Sequence, residues 1–127
     1  MEEALRAMLL ADGTISSVVG GRVDWGEGMQ GADLPAIVMQ VVSSENQHSM
    51  QGPDGLFQSR VQIDAYAQNY GAAKRLQRAV LAALDGYHGG PMQGVFHAGS
   101  REGREAGTNE AERPYRVSMD FMTNWSE

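Results

Sequence analysis

The chain has 127 residues, with 10 basic and 16 acidic side chains and a net charge of −6. That length suits one domain, 1–127, around a single packed core, and the absence of cysteine excludes disulfides, zinc ribbons and thiol catalysis and fits a reducing cytoplasm. No run approaches the roughly 18 apolar residues of a membrane span, Glu2, Glu3 and Arg6 do not suit a signal peptide, and the acidic balance does not suit a protein that lives by gripping nucleic acid.

Glu2 to Ala11 reads as a helix: Leu5, Met8 and Leu9 form an apolar stripe, and two glutamates sit favourably in the first turn. Asp12-Gly13 ends it, and Thr14 is placed to cap a second short helical turn through Ile15, Val18 and Val19. After Gly20-Gly21, Arg22 to Trp25 is a short strand and a glycine-rich loop runs to Asp33. Ile37 to Ser43 is rich in β-branched residues and reads as a strand. A polar loop, 44–55, then closes on Gly-Pro-Asp-Gly. In Leu56 to Ala67, Val61, Ile63, Ala65 and Ala67 alternate with Arg60, Gln62, Asp64 and Tyr66, the pattern of a strand with one apolar and one wet face. Tyr70 to Asp85 changes to helical period, with Ala73, Leu76, Val80, Ala83 and Leu84 on one face, Lys74 and Arg78 opposite, and Gly86 as the C-terminal cap. Met92 to Ala98 is a short strand, 99–113 a long charged loop, and Tyr115 to Thr123 a last alternating strand with Arg116, Ser118 and Asp120 on its polar side. The order α, short α, β, β, β, α, β, β predicts an α+β fold: an antiparallel sheet with two main helices packed on one face and the other face wet.

Chemical motifs are few. Gly26-Glu27-Gly28-Met29-Gln30-Gly31 matches G-x-G-x-x-G, but a dinucleotide turn needs a helix to begin inside it. Here Asp33-Leu34-Pro35 and a strand follow, so we read a loop. His48, His88 and His97 lie far apart with no ligand spacing, no serine stands in G-x-S-x-G, and no catalytic, cofactor or metal residue is assigned. Asp64 and Asp120 share the wet side with Arg60 and Arg116, an arrangement better suited to cross-strand ion pairs or subunit contacts than to a catalytic carboxylate pair.

The order and spacing of several segments carry a resemblance. They are VVGGRV (Val18 to Val23), LPAIVMQ (Leu34 to Gln40), GPDGL through SRVQIDAYAQNYGAAKRL (Gly52 to Leu76), ALDGYHG (Ala83 to Gly89) and PYRVSMDF (Pro114 to Phe121). Over nearly its full length the chain resembles the tail terminators, small tail-completion proteins of long-tailed bacteriophages. The resemblance implies a structural, non-enzymatic virion protein without cofactor. Six copies would form a ring on the last ring of tail tube protein, stop its polymerisation and meet the head connector or stopper, with double-stranded DNA passing through the lumen without specific binding. Assembly would take place in the host cytoplasm and end at the head-proximal end of the tail.

A head-to-tail ring needs two different, mutually fitting surfaces on each subunit. The expected interface residues are Arg60, Gln62, Asp64 and Arg116 on the wet strand faces, Arg101 and Arg104 in the 99–113 loop, and Trp25, Leu81 and Trp125, the apolar side chains least suited to complete burial. The loops 44–55 and 99–113 are expected to contact other subunits or rings. Three other readings stay open: a head-to-tail stopper, a small ligand-binding or hydrolytic domain using Asp64, Asp120 and the histidines, and a DNA-binding module using Lys74, Arg75 and Arg78.

Overall fold

The computed structural model describes residues 2–26, 34–49, 52–87, 92–104 and 115–126, with the side chains of 45–49, 52–56, 93, 103, 104 and 126 outside that description. Its elements are α1 (Glu2–Ala11), α2 (Gly13–Val19), β1 (Val23–Trp25), β2 (Ala36–Ser49), β3 (Gly52–Ala67), α3 (Tyr70–Leu84), β4 (Met92–Arg104) and β5 (Tyr115–Ser126). The five strands form one sheet in the order β1-β2-β3-β5-β4. The pairs β2–β3 and β4–β5, adjacent in sequence, are antiparallel, and β5 also pairs antiparallel with β3 across the intervening α3 and β4. β1 runs parallel to β2, which makes the sheet mixed at that edge.

Alternation decides which side of the sheet is buried. On β3, Val61, Ile63, Ala65 and Ala67 face the helices and are fully buried, level with Phe121, Met119 and Val117 of β5. Leu5 and Leu9 of α1, Ile15 and Val19 of α2, and Ala73, Leu76, Val80 and Leu84 of α3 close over them. Three short amphipathic helices gain stability here through this shared apolar face, because isolated helices of such length are marginal in water.

Local chemistry sets the helix ends. Asp12, not Thr14, caps α2: its Oδ1 accepts from the N–H groups of Thr14 and Ile15, both at 3.0 Å. A carboxylate one residue before the helix meets the orphan amides that the Thr14 hydroxyl, already inside the first turn, cannot reach. Asn69 caps α3 by accepting from Ala72 N–H at 2.8 Å. At the other end Asp85 is the C-terminal cap, and Gly86 follows with a left-handed φ of 81°. The Gly86 N–H donates to Val95 O at 2.7 Å rather than to a helix carbonyl, so the glycine ties the end of α3 to the outer edge of β4.

The two expected polar loops are corrected over the described residues. β2 continues to Ser49 and β3 begins at Gly52, so 44–49 and 52–55 are paired strand, with the Gly-Pro-Asp-Gly segment inside β3. β4 likewise runs on to Arg104. These stretches carry few apolar residues to alternate, and backbone pairing keeps them extended. Ladder irregularities between Val41 and Ser43, Asn46 and His48, and His97 and Gly99 scramble the period further. β5 ends opposite Leu56, so 47–49 and 52–55 project as a two-stranded ribbon. The remainder of the charged loop, and the glycine motif after Gly26, lie outside the described residues.

Candidate functional site

The face of the sheet away from the helices carries an ordered pattern of charge. In register, Gln62 of β3 lies opposite Asp120 of β5, Arg60 opposite Met122, and Asp64 opposite Ser118. Asp120 is almost wholly buried, and its Oδ2 accepts from Arg60 of β3 and Arg101 of β4, each at 2.9 Å. One carboxylate thus bridges guanidinium groups from the two neighbouring strands. Burial by itself would raise the Asp120 pKa, but the hydrogen bonds from Arg101 and Arg60 and their charges outweigh it and lower the value. The hydrogen bond to Asp120, then its charge, raises the pKa of Arg101. Asp64, also buried, accepts from Gln62 Nε2 at 3.0 and 3.1 Å. Tyr66 and Arg116, opposite each other in register, are both engaged.

Arg101 reaches this face through the irregularity in β4. Phe96 pairs with Met122 on the open face, and an extra residue between His97 and Gly99 shifts the parity, so Arg101 pairs with Ser118 on that same face. Phe96 is 52% exposed, with Gly94 directly beneath its ring. Neither Phe96 nor Met122 was among the residues expected from sequence, although the alternation of β5 already aligns Met122 with Asp120.

The structure brings Arg60, Gln62, Asp64, Arg101 and Arg116 onto one face and places the three apolar candidates elsewhere. Trp25 donates its indole N–H to Glu2 O at 3.0 Å and leans on the core. Leu81 is partly buried against the same core. Trp125 stacks on Phe57 on the helix side, centroids 4.4 Å apart, and donates to Ser59 Oγ at 2.9 Å. Ser59 is itself buried and shares a 2.9 Å hydroxyl contact with Ser44, so this polar knot seals the end of the core where the helices stop. The side chain of Arg104 lies outside the described residues.

The other candidates separate as well. Lys74 pairs with Glu102 at 2.6 Å, and that hydrogen bond leads the lowering of the Glu102 pKa. Arg75 and Arg78 border a shallow groove with Asp12, Thr14, Ala79 and Ala82. His97 contacts Ser100 Oγ at 2.8 Å, while His88 and the side chain of His48 fall outside the described residues. Among the described residues no three acidic or histidine side chains converge to hold a metal, and no helix is long and apolar enough to cross a membrane. Asp64 and Asp120 are each held by a neighbour on the sheet, the cross-strand arrangement favoured from sequence for Asp120.

The sequence matches the family model of tail completion protein gp17 over residues 3–125. The fold is similar to that of a chain in a structure described as the virion of a native gene transfer agent particle. The TM-score is 0.75, at 16% identity, over 100% of this chain and 95% of that one. At that identity the likeness speaks for the fold alone. No curated protein matches the sequence significantly. With a family model that leaves out only two residues at each end, the chain belongs to the tail completion protein gp17 family and is a structural protein of a phage-type tail.

Proposed function

We propose that six copies of the chain form a ring that ends tail-tube polymerisation and joins the tail to the head connector, with double-stranded DNA passing through the lumen without specific binding. The family match over residues 3–125 is the observation that carries this reading. The role is architectural, with no catalytic step. The protein resides in the virion at the head-proximal end of the tail and reaches it from the host cytoplasm.

The geometry supplies the material such a ring requires. A closed ring of identical subunits buries two different patches per copy. The open sheet face offers one, with Arg60, Gln62, Arg101 and Arg116 displayed on a four-strand platform; Asp64, expected at this interface, is buried beneath them and not itself available to a neighbour. The sheet edges offer others. β1 pairs with β2 only from Ile37 to Met39, so β2 has no strand on its outer side beyond that point among the described residues. Such an edge presents backbone donors and acceptors that a neighbour can satisfy. Trp25, Leu81 and Trp125 retain only partial exposure for a neighbour. The charge suits a conduit: six copies at −6 sum to about −36, and an acidic ring lets DNA slide where phosphate-binding cations would hold it.

The test is to add purified protein to isolated tail tubes and image them by electron microscopy. A six-fold ring on one tube end that stops further elongation supports the proposal. Tubes that stay bare and keep growing would overturn it.

A further inference from the structure

Most basic side chains in the described residues are already engaged. Arg6 donates to Val23 O, Arg22 to Pro35 O, Arg60 and Arg101 to Asp120, and Lys74 to Glu102, while Arg116 is also partnered. Arg75 and Arg78 are the exceptions: both are exposed, and neither has a carboxylate at ion-pair distance among the described residues. They lie three apart on α3, in line with Ala79 and Ala82, whose small side chains leave the groove beside α2 open. The one carboxylate in that groove, Asp12, is committed to capping α2.

Exposed carboxylates without a partner among the described residues lie elsewhere. Glu2 and Glu3 begin α1, whereas Asp24 of β1, in register with Val38, points to the open side of the sheet and away from them. The hydrogen bond from the Trp25 indole to Glu2 O holds the start of α1 beside β1. Asp12, which borders the arginine groove, follows the other end of α1. The ten residues of α1 span about 15 Å, so the glutamate pair and the arginine pair are too far apart to meet within one chain. Two surfaces of opposite, unneutralised charge that cannot pair internally are what a head-to-tail contact between identical copies requires.

We infer that the α2–α3 groove docks a second copy of this chain, with Arg75 and Arg78 receiving Glu2 and Glu3 of the neighbour. This contact rests on the ring proposed above and names a pair of surfaces that close it. Exposed ion pairs are individually weak, but each interface repeats around the ring, and reversal turns attraction into like-charge repulsion.

The experiment uses the tube-capping assay with charge-reversed chains. One chain carries Arg75→Glu and Arg78→Glu; the other carries Glu2→Lys and Glu3→Lys. All four positions are exposed, and unchanged thermal unfolding confirms that each variant folds. Either variant alone is expected to cap roughly tenfold fewer tube ends, and an equal mixture to recover to within about twofold of wild type, because the two chains can alternate in a six-membered ring. Capping by the arginine variant at the wild-type level would overturn the inference. So would loss that the mixture fails to rescue, which would assign the arginines to the tube, the connector or DNA phosphates. Absence of rings with the wild-type chain would remove the ring proposal itself, and this contact with it.

Discussion

Replacing Asp120 by Asn probes the charge pattern of the open face most directly. The side chain is 6% exposed and accepts hydrogen bonds from Arg60 and Arg101, both at 2.9 Å. Two bonds to a desolvated charge would contribute about 1.5–3 kcal/mol each, whereas fully exposed ion pairs rarely reach about 1 kcal/mol. The guanidinium groups are 42% and 59% exposed and rehydrate when released, so the lower end applies; because the Asn amide oxygen can still accept from one of them, the substitution should cost about 2 kcal/mol of the roughly 3 kcal/mol at neutral pH. With a urea slope of about 2 kcal/mol per molar, the unfolding midpoint falls by about 1 M. The pH dependence has a definite sign. The folded-state pKa of Asp120 lies below the ordinary aspartate value of 3.8, so the unfolded chain binds the proton first. The carboxylate's contribution is therefore complete above that value and is lost as pH falls below it and through the folded pKa. Urea titrations followed by tryptophan fluorescence at pH 7 and at pH 3 should show a wide gap between wild type and variant that narrows in acid. Equal midpoints at pH 7, or a gap that stays constant into acid, would refute the assignment of Asp120 as a stabilising bridge.

Asp12→Ala should cost about 1 kcal/mol through loss of the α2 cap, and Thr14→Ala clearly less, as read from urea midpoints. Phe121→Ala empties the centre of the core and should cost about 3–5 kcal/mol, seen as a large drop in thermal midpoint by circular dichroism. Gly94→Ala would place a methyl 2.7 Å from Cε2 of Phe96, but that ring is exposed and can swing aside, so the loss should stay under about 1 kcal/mol in the same titration. Hydrogen exchange followed by mass spectrometry should find the amides of 45–49 and 52–55 much less protected than those from Phe57 to Ala67, where β5 adds a second paired neighbour.

Where a helix packs on a strand, the sequence announces it. Val61 to Ala67 and Val117 to Phe121 show their alternation because one face is buried under α1 and α3, and Leu76 to Leu84 shows helical period for the same reason. Where the sheet extends past the apolar core, pattern disappears while structure continues. The strand segments 44–49 and 52–55 and the far half of β4 look like loops because their sequences are polar, and backbone pairing records them. The open face was legible in β3 and β5, whose strands keep a constant period, and obscure in β4. There one extra residue before Gly99 moves Arg101 onto the face, a shift that no local residue type signals. Asp12 competed with Thr14 for the same cap, and spacing to the helix, not side-chain type, separated them. The isolation of Arg75 and Arg78 depends on where Asp12 and Glu102 point, which is a property of the fold.

The central claim is that this protein ends the tail. Its gene should be deleted from the host or phage that carries it and the lysate imaged by electron microscopy, with a plasmid copy as control. Overlong or irregular tubes beside separate DNA-filled heads, restored to uniform length by the plasmid, are the predicted result. Tubes of normal length beside heads that leak or stand empty would contradict it and place the protein above the tube, as a stopper; wholly normal particles would contradict any structural role at this junction.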